Sequence, residues 1–179
     1  MLLRMDFPRV ASIVLVAAAS AIASAQVRDV EPYLAVVTSP SANLHAGETD
    51  QFYRVGAVSS GVILYVDGET NGWARVAYPA GSFAFVGAED ATFNADTNEI
   101  TLTRASRLRA PNPTSGFNGS WKTLLTTAIP AGTKMRALQV DEARGVGVVA
   151  YRVAMPEAGR AFLELRHIRR AGESEISAF

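Results

Sequence analysis

The sequence predicts an all-β fold: two small barrels packed in tandem behind a signal peptide. Three observations predict it. After Gln26 no long stretch repeats apolar residues at the three-to-four spacing of an amphipathic helix. Short runs rich in Val, Ile, Leu, Tyr and Phe follow one another instead, separated by Gly, Pro, Asn and Ser. These runs fall into two sets whose order and spacing match.

The chain opens on "MLLRMDFPRVASIVLVAAASAIASAQ". Arg4 and Arg9 give a positive start, Val10 to Ile22 is apolar or small throughout, and Ala23-Ser24-Ala25 fits the A-x-A pattern of a signal-peptidase site. Residues 1–25 therefore read as a secretory signal peptide cut before Gln26. An apolar run of about 15 residues is shorter than the roughly 20 needed to cross a bilayer, so no stable membrane insertion is expected after cleavage. The expected address is secreted or periplasmic, in the cell envelope. The sequence holds no cysteine, which excludes a lipid-anchored lipoprotein, disulfides, thiol catalysis and thiolate metal sites. Such an exported protein is held together by its core alone.

The first set of strands is "YLAVVT" (33–38), "VILYVD" (62–67), "GWARVAY" (72–78) and "SFAFVG" (82–87). The second is "EITLT" (99–103), "KTLLTTAI" (122–129), "TKMRALQV" (133–140), "VGVVAYRVAM" (146–155) and "RAFLELR" (160–166). The expected units are 33–91 and 92–170, followed by a polar, loose tail at 171–179. "EDATFNADTNE" (89–99) joins them and holds no Pro-rich or Gly/Ser-rich spacer, which favours a compact pair.

Alternate residues of a strand share a face. In "WARVAY", Ala74, Val76 and Tyr78 form the inner face, with Trp73 and Arg75 opposite. In the second set Val149, Tyr151, Val153 and Met155 point inward, with Ala150 and Arg152 opposite. Trp73 thus stands on a side that elsewhere carries arginine, as a groove residue would.

The two sets align as a duplication. "NLHAG" (43–47) matches "RLRAP" (107–111), and "ARVAYPAGSFAFV" (74–86) matches "YRVAMPEAGRAFLEL" (151–165). Leu44 to Leu108 is 64 positions, Gly61 to Gly132 is 71, and both Arg75 to Arg152 and Phe85 to Phe162 are 77. The offset grows at "NPTSGFNGS" and "DEARGVG", which read as loops, where insertions cost little.

The first copy resembles the bacterial Src-homology-3-like (SH3-like) domain family. The residues that carry the resemblance are Asn43-Leu44-His45-Ala46-Gly47 at an N-V-R-x-G opening, Val55-Gly56 through Gly61 at a V-G-x-x-x-x-G turn, Gly72-Trp73 at a G-W strand, and Phe85-Val86 at the close. The tandem is similar to exported envelope proteins that carry two such domains. The second copy departs from the pattern: Arg107 stands in the place of Asn43, Pro111 in that of Gly47 and Ala150 in that of Trp73. The resemblance implies a non-enzymatic binding or scaffold module whose partner is cell-wall peptide or glycan, or another envelope protein. Tyr53 and Trp73 are the expected contact surfaces, with Arg75 as an anionic contact.

Other chemistry is sparse. The chain carries 17 basic and 17 acidic residues, a balance that argues against a nucleic-acid partner. The one basic cluster, "RHIRR" (166–170), reads as a solvated strand end. His45 and His167 lack the convergent ligands of a metal site, and no cofactor is expected. No G-x-S-x-G elbow occurs, and Asp67, Glu69, Asp141 and Glu142 fall in expected hairpin turns. Most aromatics of the first copy, Phe83 and Phe85 among them, are needed as core. Phe117 and Trp121 flank an inserted loop that either caps the second copy or presents Trp121 outward.

Overall fold

The computed structural model describes residues 27–177, so the expected signal peptide at 1–25 lies outside the described residues. Half of the described chain lies in strands. They are β1 (Arg28–Val37), β2 (Ser41–His45), β3 (Arg54–Ser59), β4 (Ile63–Thr70), β5 (Trp73–Ala77), β6 (Phe83–Gly87), β7 (Ala91–Asn94), β8 (Glu99–Leu102), β9 (Lys134–Arg136), β10 (Gln139–Ala143), β11 (Gly147–Ala154), β12 (Arg160–Glu164) and β13 (Ile168–Arg170). The all-β expectation holds. Among the described residues no helix is long and apolar enough to cross a membrane. One α-helical turn, Glu173–Ile176, stands where a loose tail was expected, and Arg169 forks onto both Glu175 oxygens at 2.8 and 2.6 Å.

Turn chemistry places the strands. Asn71 and Gly72, at φ 38° and 85°, make the tight hairpin between β4 and β5, a conformation these two residue types adopt at low cost. Gly61 and Gly132, matched in the repeat, take φ of 85° and 82°. Each donates its N–H to the end of the neighbouring strand, to Val37 O at 2.9 Å and to Leu102 O at 2.7 Å. Within β5, Ala74 and Val76 are fully buried and Trp73 and Arg75 half-buried on the opposite side, the alternation the sequence predicts.

The strands form one seven-stranded sheet, β13-β1-β4-β5-β12-β2-β3, and two three-stranded sheets, β10-β11-β6 and β7-β8-β9. All pairings are antiparallel, and no sheet closes on itself. The line between 33–91 and 92–170 does not separate the sheets. β12 pairs with β5, placing Phe162 opposite Arg75 and Ala161 opposite Val76. β6 pairs with β11, placing Phe85 opposite Arg152 and Ala84 opposite Val153. Every residue in one set is the repeat mate of one in the other. The exchange continues beyond them, with β13 beside β1 and β7 beside β8.

After β5 and β11 the chain runs through Tyr-Pro-Ala-Gly-Ser and Met-Pro-Glu-Ala-Gly, where Pro79 O accepts from the Ser82 amide at 3.2 Å and Pro156 O from the Gly159 amide at 2.8 Å. Proline holds the residue before each turn extended, and beyond the turn the next strand pairs with the other sheet. Two main cores result. The first gathers Val37, Leu44, Leu64, Val66 and Val76 with Ala161 and Leu163 from the far end of the chain. The second gathers Ile100, Leu102, Leu108, Tyr151 and Val153 with Ala84 and Val86 from the near end. The segment 89–99, which the sequence reads as a connection, is mostly hairpin: Asn94 Oδ1 accepts from the amides of Asp96 and Thr97 and shapes the turn between β7 and β8.

A third, smaller group packs Phe85, Phe117 and Ala150. Val149, expected on the face of Tyr151, packs here instead. The pairing of β10 with β11 skips it, with Asp141 opposite Ala150 and Glu142 opposite Val148, and this bulge turns the side chain over.

Candidate functional site

β5 sets Arg75 on the outer face of the seven-stranded sheet. Its Nε donates to Asp67 Oδ1 at 2.7 Å and its guanidinium also reaches Asp29 Oδ1 at 2.8 Å. The other oxygen of Asp67 accepts from Arg160 Nε at 2.7 Å. Arg160 comes from β12, so the strand exchange brings two arginines onto one carboxylate. Burial alone pushes the Asp67 carboxyl up, but the hydrogen bonds from Arg75 and Arg160 outweigh it and hold the group below the usual aspartate value.

Beside this triad lies an open cleft of about 610 Å³. Arg75, Arg107, Lys122 and Arg160 face it, against Asp67 and Glu48. Phe162, the irregular segment 123–126 and the small side chains of Val27, Ala46 and Ala158 form its remaining walls. The cleft therefore carries more positive than negative side chains in a chain whose total charge balances.

Of the three residues expected to bind, only Arg75 faces the cleft. Trp73 is half-buried, its ring set edge-on to His45 with centroids 5.2 Å apart, and His45 Nδ1 donates to Phe52 O at 2.9 Å. Tyr53 joins the two copies: its hydroxyl donates to Ala110 O at 2.8 Å and accepts from the Lys122 amide at 3.4 Å. Burial pushes the Tyr53 phenol up from its ordinary value.

The inserted loop does both of the things its sequence allows. Phe117 turns in and is buried, edge-on to Phe85 at 5.8 Å. Trp121 turns out, 60% exposed, and rests on Phe52 and Tyr53 at 5.4 and 5.6 Å. Asn112 shapes the loop by accepting the amides of Thr114 and Ser115.

Sequence reasoning did not single out Arg160, Arg107 or Lys122 as site residues. Arg160 had a signal: it stands where the first copy has Phe83, on the face of Phe162. Arg107, in the place of Asn43, had another. Neither signal shows that both residues reach back to the first copy's sheet, because that depends on the crossing. Among the described residues no three His, Asp or Glu side chains converge as metal ligands would.

Comparison with known proteins returns no match to any family model, curated protein or solved structure.

Proposed function

We propose that the chain is a non-enzymatic, exported binding module of the cell envelope, built from two SH3-like units, which takes cell-wall peptide or glycan at the cleft beside Arg75. The observation that carries this reading is the cleft itself: an open space of about 610 Å³ with four cationic side chains against two carboxylates. Sites that accept a ligand are concave and carry a few convergent polar groups. The leader pattern and the first-copy residues that resemble the SH3-like family supply the address and the partner class. Arg75 is the ligand-facing residue; Trp73 and Tyr53 act behind it, the one fixing His45 and the other seating Trp121.

The test is retention on purified sacculi. The wild type is expected to sediment with them, and the double variant Arg107→Glu/Lys122→Glu to stay in solution with an unchanged circular-dichroism spectrum. Equal sedimentation of a folded double variant counts against the cleft.

A second reading is a structural protein–protein module without glycan binding. It rests on β3 and β13, the outer strands of the seven-stranded sheet, each with one side unpaired among the described residues and able to take a partner strand. A stable cross-linked protein partner with no sacculus retention favours it.

A further inference from the structure

We infer that the cleft takes an extended acidic peptide rather than a sugar chain. This rests on the cleft being the binding site and names the chemistry of its ligand. The cations of the cleft are not equally free. Arg75 and Arg160 are already matched by Asp67 and Asp29. Arg107 and Lys122 have no carboxylate within ion-pair distance among the described residues; Lys122 Nζ lies over the Phe52 ring, 4.7 Å from its centre. Glu48 is the one acid left to answer both. An incoming carboxylate therefore meets two unanswered cations beside a preorganised arginine pair, which steers association and selects for charge.

The wall of the cleft says what carries that carboxylate. The Leu124 amide is bonded to Leu108 O at 2.9 Å and so fixed in place. The next two residues, Leu125 and Thr126, make no backbone hydrogen bond to the described chain. Both residues line the cleft, and their N–H and C=O groups have no backbone partner among the described residues, beside the half-buried Leu125 side chain. An extended peptide satisfies such groups by main-chain pairing. A sugar chain calls for something else: an exposed aromatic face on which a ring can lie. Among the described residues the cleft offers none, since its single aromatic there, Phe162, is 8% exposed, and Trp121 stands outside it.

The test uses the purified protein and a dye-labelled, end-blocked peptide alternating glutamate and alanine, read by fluorescence anisotropy. Its glutamine counterpart and an oligogalacturonate, equally acidic but without a peptide backbone, are the controls. The acidic peptide is expected to bind, to weaken steeply with added salt, and to lose about ten-fold or more in affinity in Arg107→Glu/Lys122→Glu. The glutamine peptide is expected to bind at least about ten-fold more weakly. Equal binding of the two peptides overturns the inference, as does tighter binding of the oligogalacturonate. Undiminished peptide binding by a folded double variant also overturns it. Sacculus retention separates the two claims. If the double variant loses retention while the wild type ignores the peptide, the cleft stands as the site and the peptide assignment alone falls. If retention is untouched by the double variant, the cleft itself falls.

Discussion

The outer faces around Arg75 and Arg152 are the same construction finished in two ways. Both arginines lie opposite a phenylalanine of the exchanged strand, Phe162 for Arg75 and Phe85 for Arg152. Both bond an aspartate, Asp67 or Asp141. The first face then leaves a cleft of about 610 Å³, the second about 180 Å³. Two substitutions account for the difference. At the first, Arg160 occupies the place of Phe83, so Arg75 shares its aspartate with a second cation. Arg152 instead takes both oxygens of Asp141 and stacks on Phe83 at 4.5 Å. At the second, the strand of the first copy carries Trp73, edge-on to His45. The second copy carries Ala150, and the inserted loop lays Phe117 over it, beneath Arg109, the repeat mate of His45. One copy's outer face is thus filled from within the chain while the other keeps an open cleft.

The largest expected effect tests the exchange that makes the faces equivalent. Leu163 is fully buried in the first core and Val86, its repeat mate, in the second. Leu163→Ala is expected to cost about 4 kcal/mol, from lost burial and the cavity left, and Val86→Ala somewhat less. Each core contains strands from both ends of the chain, so urea melts of both variants are expected to keep one cooperative transition. Two separable transitions, with only one moved by each variant, would break the interlocked picture.

A middle-sized effect sharpens the contrast between the two fillings. Phe117 is 9% exposed and packs on Phe85 and Ala150, so Phe117→Ala is expected to cost about 3 kcal/mol. Trp73 is half-buried, and its replacement by alanine is expected to cost about half as much, because less area returns to water. Equal losses in parallel denaturant titrations would mean that Trp73 closes its face as fully as Phe117 does.

Much of this contrast was legible in the sequence, and the gap has a specific cause. The alternation in "WARVAY" placed Ala74 and Val76 inside and Arg75 outside, because a strand's period is fixed by its geometry. The repeat offsets matched residues that do take matching places, down to the turn glycines Gly61 and Gly132. What the repeat could not reveal is which copy each closing strand joins. Two copies present the same edge, with Ala74 and Val76 in one and Tyr151 and Val153 in the other, so strands from either copy satisfy either sheet. Arg160 and Arg107 were invisible as neighbours of Arg75 for that reason. Residue type, the resemblance and, for Trp73, its strand face point to Tyr53 and Trp73 as contacts, but none of these says whether a hydroxyl is already bonded to Ala110 O or a ring already engaged by His45. Val149 was misplaced because a bulge breaks the period that the reading assumes.

The smallest expected effect separates the two aspartates. Removing Asp141 leaves Arg152 stacked on Phe83, whereas removing Asp67 leaves Arg75 and Arg160 facing each other with Asp29 alone to offset them. Asp67→Asn is therefore expected to cost about 1 kcal/mol at neutral pH, a value kept small by solvent screening, and Asp141→Asn less. The pH dependence gives the cost a signature. The Asp67 carboxyl sits lower in the folded chain than its ordinary value of 3.8, because the bonds from Arg75 and Arg160 outweigh the cost of burial. The unfolded chain then binds the proton more readily than the folded one, so the contribution of Asp67 is whole above the unfolded value and drains as pH falls through the folded one. The stability gap between wild type and Asp67→Asn is expected to be constant from neutral pH down to about pH 5 and to close below about pH 4. A gap that persists unchanged into strong acid would show that the aspartate acts by shape and not by charge, and that the arginine pair beside the cleft is held in place by something other than Asp67.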